Sequence, residues 1–290
     1  MTKRTLGKTG YEIAPVAFGG IINTNETQAD ADRYVAYAIE RGVNYFDVAP
    51  TYGNAEERLG AALKPYRKNV YLACKTALRD AKGSKEELLA SLGRLQTDYF
   101  DVYQLHSIKN GADVEQAFSA GGAMETLRWA KEEGLIRAAG ITAHSEEYAV
   151  KCLDLFDFDS VLYTMYWVSG ALNGNGAKLA AAVKAKNAGL LCMKVLAHRM
   201  WRDGEKKRGD KSWYKPIDLG TDGPLALAAM KYCLSREPAA LVPPGIFEYF
   251  CFMLDHIDEA IANPLSAGEM DLLKTEAAKL GGEAINLVEV

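Results

Sequence analysis

Asp47, Tyr52, Lys75 and His106 stand at or just after the ends of three short apolar runs, "NYFDVAPTYG", "NVYLACKT" and "YFDVYQLH". Together they supply a carboxylate, a phenol, an ammonium and an imidazole, a set suited to carbonyl reduction. A hydride arriving at a carbonyl carbon leaves negative charge on oxygen, so a proton donor must lie within hydrogen-bond reach and release its proton near neutral pH. A free phenol, with a pKa of about 10, is a reluctant donor. A neighbouring lysine stabilises phenolate and would lower that pKa, and a carboxylate keeps the lysine charged and aimed despite burial. Tyr52, Lys75 and Asp47 match these three roles, and His106 could orient the carbonyl by donating to the same oxygen. Each has a plain structural reading when taken singly: Asp47 caps a turn, Tyr52 packs, Lys75 reaches solvent. Four such groups ending successive strands are hard to assign to packing.

The elements that must gather them follow an alternation along the chain. Eight strand-length apolar runs, from "PVAFGG" and "NYFDVAP" to "GLLCMKVLA" and "ALVPPG", are separated by segments with helical spacing such as "ADADRYVAYAIERG" and "AMETLRWAKEEG". The last helix is expected near "LDHIDEAIA". Ser84 with Glu87 reads as a capping box, and Gly42, Gly134 and Gly189 fall where helices should stop. This arithmetic predicts an α/β fold, a (β/α)8 TIM barrel, in which catalytic groups collect at the C-terminal ends of the strands. A doubly wound sheet would carry a G-x-G-x-x-G turn after its first strand, and none is present. "KRTLGKTGYEIAP" predicts an N-terminal β-hairpin turning at Lys8-Thr9-Gly10. Two strand-to-helix connections are long, one after His106 and one after Ala197, the side of a barrel where loops carry function. Without linkers or low-complexity tracts, residues 1–290 are expected to form a single domain.

Composition narrows the partners. The chain has 290 residues, 49% hydrophobic and 25% charged, enough to bury a large core. A net charge of −4 argues against a surface built for nucleic acid. Five cysteines without a C-x-x-C read as reduced core thiols and predict neither disulfide nor metal site. A metal-dependent isomerase would need several carboxylates with histidines at the strand ends, where Asp47 is nearly alone. No apolar run approaches the roughly 20 residues of a membrane span, and "MTKRTLGKTG" lacks a signal-peptide core. A cytoplasmic location is expected, and the oligomeric state is left open.

These motifs carry a family resemblance. "RTLGKTGYEIAPVAFGG", "AIERGVNYFDVAPTYGNAEERLGAAL", "VYLACKT" and "LQTDYFDVYQLHS" resemble, in order, the opening hairpin and first strand, the aspartate and tyrosine segment, the lysine strand and the histidine strand of the aldo-keto reductase superfamily. The similarity runs from about Lys3 to Ala197 and is looser beyond. It implies an NAD(P)H-dependent oxidoreductase interconverting a carbonyl and an alcohol. Tyr52 would be the general acid, Lys75 and Asp47 the pair tuning it, and His106 the substrate-orienting group. The resemblance implies a nicotinamide dinucleotide extended across the barrel mouth against Gly20, Ile21, Asp47, Thr142, Tyr163, Met193, Lys194 and Leu196. A cofactor-binding regulatory subunit, or a redox-neutral enzyme with tightly bound nicotinamide, is the alternative.

The chain departs from the family pattern in places. An asparagine expected after Thr142 is Ala143. Near the C-terminus, "VPPGIFEYF" places Phe247 where the family carries a basic group for the adenosine 2′-phosphate, a charge that no aromatic can neutralise. The basic loop with Arg199, Arg202, Lys206, Lys207 and Arg208 could supply it, although Asp203, Glu205 and Asp210 interrupt the run. NADP is favoured on the resemblance, with NAD possible. Trp167, Trp201, Trp213 and Tyr214 suggest an aromatic wall for a sugar or another small carbonyl compound. Trp167 and Trp201, with Tyr52 and His106, are the expected substrate contacts.

Overall fold

The computed structural model describes residues 1–205 and 211–287. A hairpin of β1 (Arg4–Thr5) and β2 (Glu12–Ile13) opens the chain, turning through Gly7–Thr9. Eight strands then pair in parallel and in chain order: β3 (Phe18–Gly19), β4 (Tyr45–Asp47), β5 (Tyr71–Thr76), β6 (Phe100–Ile108), β7 (Ile136–Ala143), β8 (Ser160–Thr164), β9 (Gly189–Met193) and, after the hairpin of β10 (Ala197–Arg199) and β11 (Lys215–Pro216), β12 (Ala240–Leu241). The sheet closes through a parallel bridge between Val16 and Leu241, with Ala17 N donating to Leu241 O at 2.9 Å and Leu241 N to Pro15 O at 2.9 Å. The result is the expected (β/α)8 barrel with its N-terminal hairpin.

Helices α1 (Gln28–Glu40), α2 (Ala55–Leu63), α3 (Ala81–Arg94), α4 (Gly111–Phe118), α5 (Ala123–Glu132), α6 (Glu146–Leu155), α7 (Trp167–Asn173), α8 (Ala177–Ala185), α9 (Gly223–Leu234), α10 (Phe247–Ala262) and α11 (Ala267–Leu280) surround it. Three of these lay outside the sequence reading: α4 inside the connection after His106, α7 after β8, and α11 at the end. The last expected helix starts seven residues earlier than Leu254, so Phe247 opens α10 rather than following a turn.

Two local predictions need correction. Ser84 lies inside α3, buried, with its hydroxyl donating to Thr126 Oγ1 at 2.8 Å, and the helix is capped by Asp80, whose side chain accepts from Gly83 N. A Ser-x-x-Glu spacing also fits two points on one face of a helix interior, which is why it misled. Among the described residues a capping box is formed by Ser266 with Glu269. Gly42 and Gly134 do end α1 and α5 with positive φ, whereas Gly189 is the first residue of β9 and the left-handed residue after α8 is Asn187.

Side chains alternate across the strands, and this parity sorts the core into two parts. Tyr45, Ala73, Val102, Ala138, Leu162 and Leu191 point into the barrel, where Leu6 and Ile13 of the hairpin region close its lower end. Phe46, Cys74, Tyr103, Ile141, Tyr163 and Cys192 point outward into the layer beneath the helices. Two residues further along the inward parity, toward the C-terminal ends, stand Asp47, Lys75, Gln104 and Met193.

Candidate active site

The buried carboxylate of Asp47 is the centre of the inward-facing set. Its Oδ2 accepts from Lys75 Nζ, and its Oδ1 accepts from Gln104 Nε2 at 2.9 Å. Lys75 Nζ also donates to Val48 O at 3.0 Å. Gln104 fits because Gly140 lies beside it on β7: a Cβ there would come within 3.0 Å of Gln104 Cγ and 2.6 Å of Ser160 Oγ. The Lys75 ammonium is 5.3 Å from the centroid of the Tyr52 ring, and the His106 ring meets that phenol edge-on with centroids 5.9 Å apart. Trp213 flanks the other side of Tyr52 at 6.2 Å. A carboxylate from β4, an ammonium from β5, a phenol from the β4–α2 loop and an imidazole from β6 thus gather at one mouth.

Electrostatics set their protonation. Burial alone would lower the Lys75 pKa, but the Asp47 charge and hydrogen bond outweigh it and raise the pKa, so the ammonium is kept. The Tyr52 phenol is pushed up by burial. Lys75 pulls it down without reversing the sign, while Asp47 and Cys74 push up as well. The expectation of a net lowering therefore fails for the free protein, and Tyr52 rests as a protonated phenol with Lys75 placed to stabilise the anion when it forms. Burial, followed by the charges of Lys75, His144, Arg79 and Lys109, holds His106 well below its ordinary range. A neutral imidazole can donate one N–H to an oxygen without bringing a charge of its own.

The main chain around His106 is pinned from outside the site. Arg79, itself buried, donates to His106 O at 2.5 Å, to Ser107 O at 3.3 Å and to Ala77 O at 3.2 Å, and its Nε lies 3.5 Å from Asp113 Oδ1. Ser107 adopts φ 59°, and its N–H donates to Thr142 Oγ1 at 2.6 Å. The β6–β7 register shifts at this point.

A cavity of about 230 Å³ opens over these groups. Its lining includes Ile21, Asp47, Met193 and Lys194 from the expected cofactor set, together with Trp213, Tyr214 and the turn Val242–Gly245. The other expected contacts do not reach it. Tyr163 has outward parity, is fully buried and donates to Asn175 Oδ1 at 2.8 Å, so Leu162, one residue earlier, lines the mouth instead. Thr142 points inward, but its hydroxyl is taken by Ser107 N. Gly20 packs on β4, where an added Cβ would meet Val48 Cβ at 2.8 Å. Leu196 is buried in the outer layer and its carbonyl accepts from Ile217 N at 2.9 Å.

The aromatic wall is also rearranged. Trp167 is fully buried with its indole N–H donating to Ala197 O at 2.7 Å, and Trp201 pins its own loop by donating to Ser212 O at 3.0 Å. Trp213, 53% exposed, and Tyr214 occupy the mouth instead. At the adenosine end of the resemblance, Phe247 stacks on Tyr34 at 4.0 Å. Arg199 is held bidentately by Glu205 and Arg202 by Glu283, while Lys206, Lys207, Arg208 and Asp210 lie outside the described residues. Among the described residues no cluster of three or more potential metal ligands occurs, and no helix is long and apolar enough to cross a membrane.

Comparison with known proteins meets this geometry. The profile of the Aldo/keto reductase family matches residues 15–237. The chain belongs to the aldo/keto reductase family. It is 35% identical over 158 residues to the uncharacterized oxidoreductase YqkF of Bacillus subtilis (strain 168), a match covering 49% of each chain. It is 30% identical over 184 residues to the aldo-keto reductase YhdN of the same organism, covering 57% of this chain and 53% of that one. These matches span about half the length of the curated relatives. Among solved structures, an aldo-keto reductase from Bacillus halodurans in its holo form superposes with a TM-score of 0.72 at 24% identity, covering 98% of both chains. That likeness concerns the fold.

Proposed function

We propose that this aldo/keto reductase family member is a nicotinamide-dependent oxidoreductase that interconverts a small carbonyl compound and its alcohol. A single observation carries the reading: Lys75, bound to Asp47, lies against a protonated Tyr52 phenol that also faces a neutral His106 imidazole, all at one cavity. The nicotinamide, when bound, supplies or accepts the hydride. In the reducing direction His106 donates a hydrogen bond that orients the carbonyl oxygen, and Tyr52 Oη passes its proton to that oxygen as charge develops. Lys75 stabilises the phenolate left behind, and Asp47, steadied by Gln104, keeps Lys75 charged and in place. Reprotonation of Tyr52 from solvent returns the site to its resting state. In the oxidising direction the same groups run in reverse.

The cavity fits the cofactor in chemistry. Ile21, Leu162, Met193 and Val242 offer apolar contact, and Trp213 offers an aromatic face beside Tyr52. We favour NADPH on the family resemblance. However, Arg199 and Arg202 are committed to Glu205 and Glu283, and Phe247 to Tyr34. Discrimination by the 2′-phosphate is therefore weak in this reading, and NADPH and NADH should bind within about tenfold of each other. We place the enzyme in the cytoplasm as one barrel domain over residues 1–290, and the five free cysteines suit a reducing compartment.

The test is Tyr52→Phe. Fluorescence titration with NADPH and NADH should be nearly unchanged, while turnover of a panel of aldehydes and ketones should fall at least a hundredfold, since the phenol acts on transferred charge and not on nucleotide binding. A variant that loses nucleotide affinity and keeps its chemistry would refute the assignment.

A further inference from the structure

Lys194, the residue after β9, is in an unusual state. Its backbone takes φ 61°, a conformation that non-glycine residues enter only at a cost. Its side chain is 5% exposed and lines the same cavity as Tyr52 and His106. Among the described residues the ammonium has no carboxylate and no hydrogen-bond acceptor. Its one cation contact is the Tyr214 ring, 5.3 Å from Nζ, and its charged neighbour is Lys109, of like sign. The other cavity lysine, Lys211, is already paired with Glu26. A buried cation without a counter-charge is expensive in a folded chain, and a strained backbone that directs it into a cavity adds to the cost. The simplest account is that the partner arrives with the ligand.

We propose that Lys194 is an anion-recognition residue: its ammonium receives the carboxylate or phosphate of a carbonyl substrate whose reacting oxygen lies at Tyr52 and His106. This rests on the reductase reading and departs from the family resemblance, which gives the position to the cofactor. Two features place the cationic corner on the substrate side. Lys109, the like charge felt by Lys194, lies three residues beyond His106 and acts on that imidazole as well. Tyr214, the ring over which Lys194 lies, lines the same cavity as Tyr52 and His106. Burial and Lys109 push the Lys194 amine down to about 7, so an arriving anion both pairs with the amine and restores its proton. Substrates would then be acidic aldehydes or ketones, in which the anionic group and the carbonyl sit at opposite ends of a short chain.

The experiment compares succinic semialdehyde with butanal, and glyceraldehyde 3-phosphate with glyceraldehyde, in wild type, Lys194→Met and Lys194→Arg, with calorimetric titration of succinate alongside. The wild type should prefer the anionic member of each pair by at least tenfold in kcat/KM. That ratio should collapse in Lys194→Met and partly return in Lys194→Arg, and succinate affinity should fall by a similar factor in the methionine variant. An unchanged ratio overturns the proposal and leaves the reductase reading intact. Should no aldehyde turn over, the reductase reading fails and the succinate titration decides alone: binding lost in Lys194→Met supports an anion site, equal binding removes it. A tenfold loss of NADPH or NADH affinity in Lys194→Met, with the substrate ratio intact, would assign the ammonium to a nucleotide phosphate. A mass gain on treating wild type with butanal and borohydride that is mapped to Lys194 and is lost in Lys194→Met would show an imine-forming amine in place of an ion-pairing one. Either result overturns the proposal.

Discussion

Lys194→Met should stabilise this protein, and by an amount that depends on pH. The lysine amine is held at about 7 in the folded chain against an ordinary value of 10.5. Below pH 7 folded and unfolded chains both carry the proton, and the folded state bears the full cost of a buried, unpaired charge. As pH rises through 7 the folded amine releases its proton while the unfolded one keeps it. Each further step adds stability until the unfolded amine titrates as well. With about 1.4 kcal/mol for each tenfold displacement, the cost is at most about 5 kcal/mol near pH 6 and about 2 kcal/mol near pH 9. Methionine keeps the aliphatic stem, similar volume and the same backbone strain, so the difference between the two proteins isolates the charge. Urea unfolding of both near pH 6 and pH 9 measures it. The methionine variant should lead by several kcal/mol near pH 6, and its lead should shrink by about 3 kcal/mol near pH 9. A lead that does not change with pH, or a variant less stable than wild type near pH 6, would show that the amine is paired in solution. The geometric argument for an incoming anion would then fall with it.

Three other substitutions separate positioning from packing. Arg79→Gln releases the carbonyls of His106 and Ser107, so KM should rise and the acid limb of the pH–activity profile, expected from titration of His106, should move, with Arg79→Lys restoring part of both. Loss of activity with an unmoved pH limb and no rescue would reduce Arg79 to a structural role. Trp167→Ala removes a fully buried indole and should cost about 3–5 kcal/mol in urea unfolding, whereas Trp213→Ala should cost under about 1 kcal/mol and change aldehyde KM severalfold. The reverse pattern would restore the original aromatic wall. Asp47→Asn leaves the Lys75 ammonium buried without its counter-charge and should destabilise by about 3–5 kcal/mol. A neutral outcome would mean that Lys75 releases its proton readily and does not stay charged beside Tyr52.

What could be read from the chain, and what could not, divides along a physical line. The barrel and the four polar groups were legible because a strand has a period of two and each of these residues ends a strand or follows one closely. Gln104 carried the same signal unread: in "YFDVYQLH" it lies two residues before His106, so the parity that aims the imidazole inward also aims the amide, and Gly140 clears its space. The error at Tyr163 is the mirror of this. Matching a family position placed it within one residue of the mouth, but one residue on a strand is the difference between the cavity and the helix layer, and Leu162 took the place. Outside the strands no such period operates. Whether an indole in a long connection faces a ligand or anchors a loop depends on which carbonyl its N–H meets, Ala197 O for Trp167 and Ser212 O for Trp201, and that pairing is fixed only when the loop folds.

The same line explains why the site resembles its family most at the groups proposed to move the proton and least at those proposed to hold the nucleotide. Proton transfer demands particular atoms, a phenol beside an ammonium, at distances that rigid strands provide. Holding a long nucleotide is spread over loop backbone and apolar surface, where many residue types serve. Phe247 on Tyr34, and two arginines spent on glutamates, would therefore alter what the proposed nucleotide meets without touching the Asp47–Lys75–Tyr52 set. Lys194 belongs to neither group. It is a buried charged residue just beyond a strand, with a left-handed backbone, that neither the fold nor the proposed proton transfer requires, and the incoming anion proposed above is what would offset the cost of burying that charge.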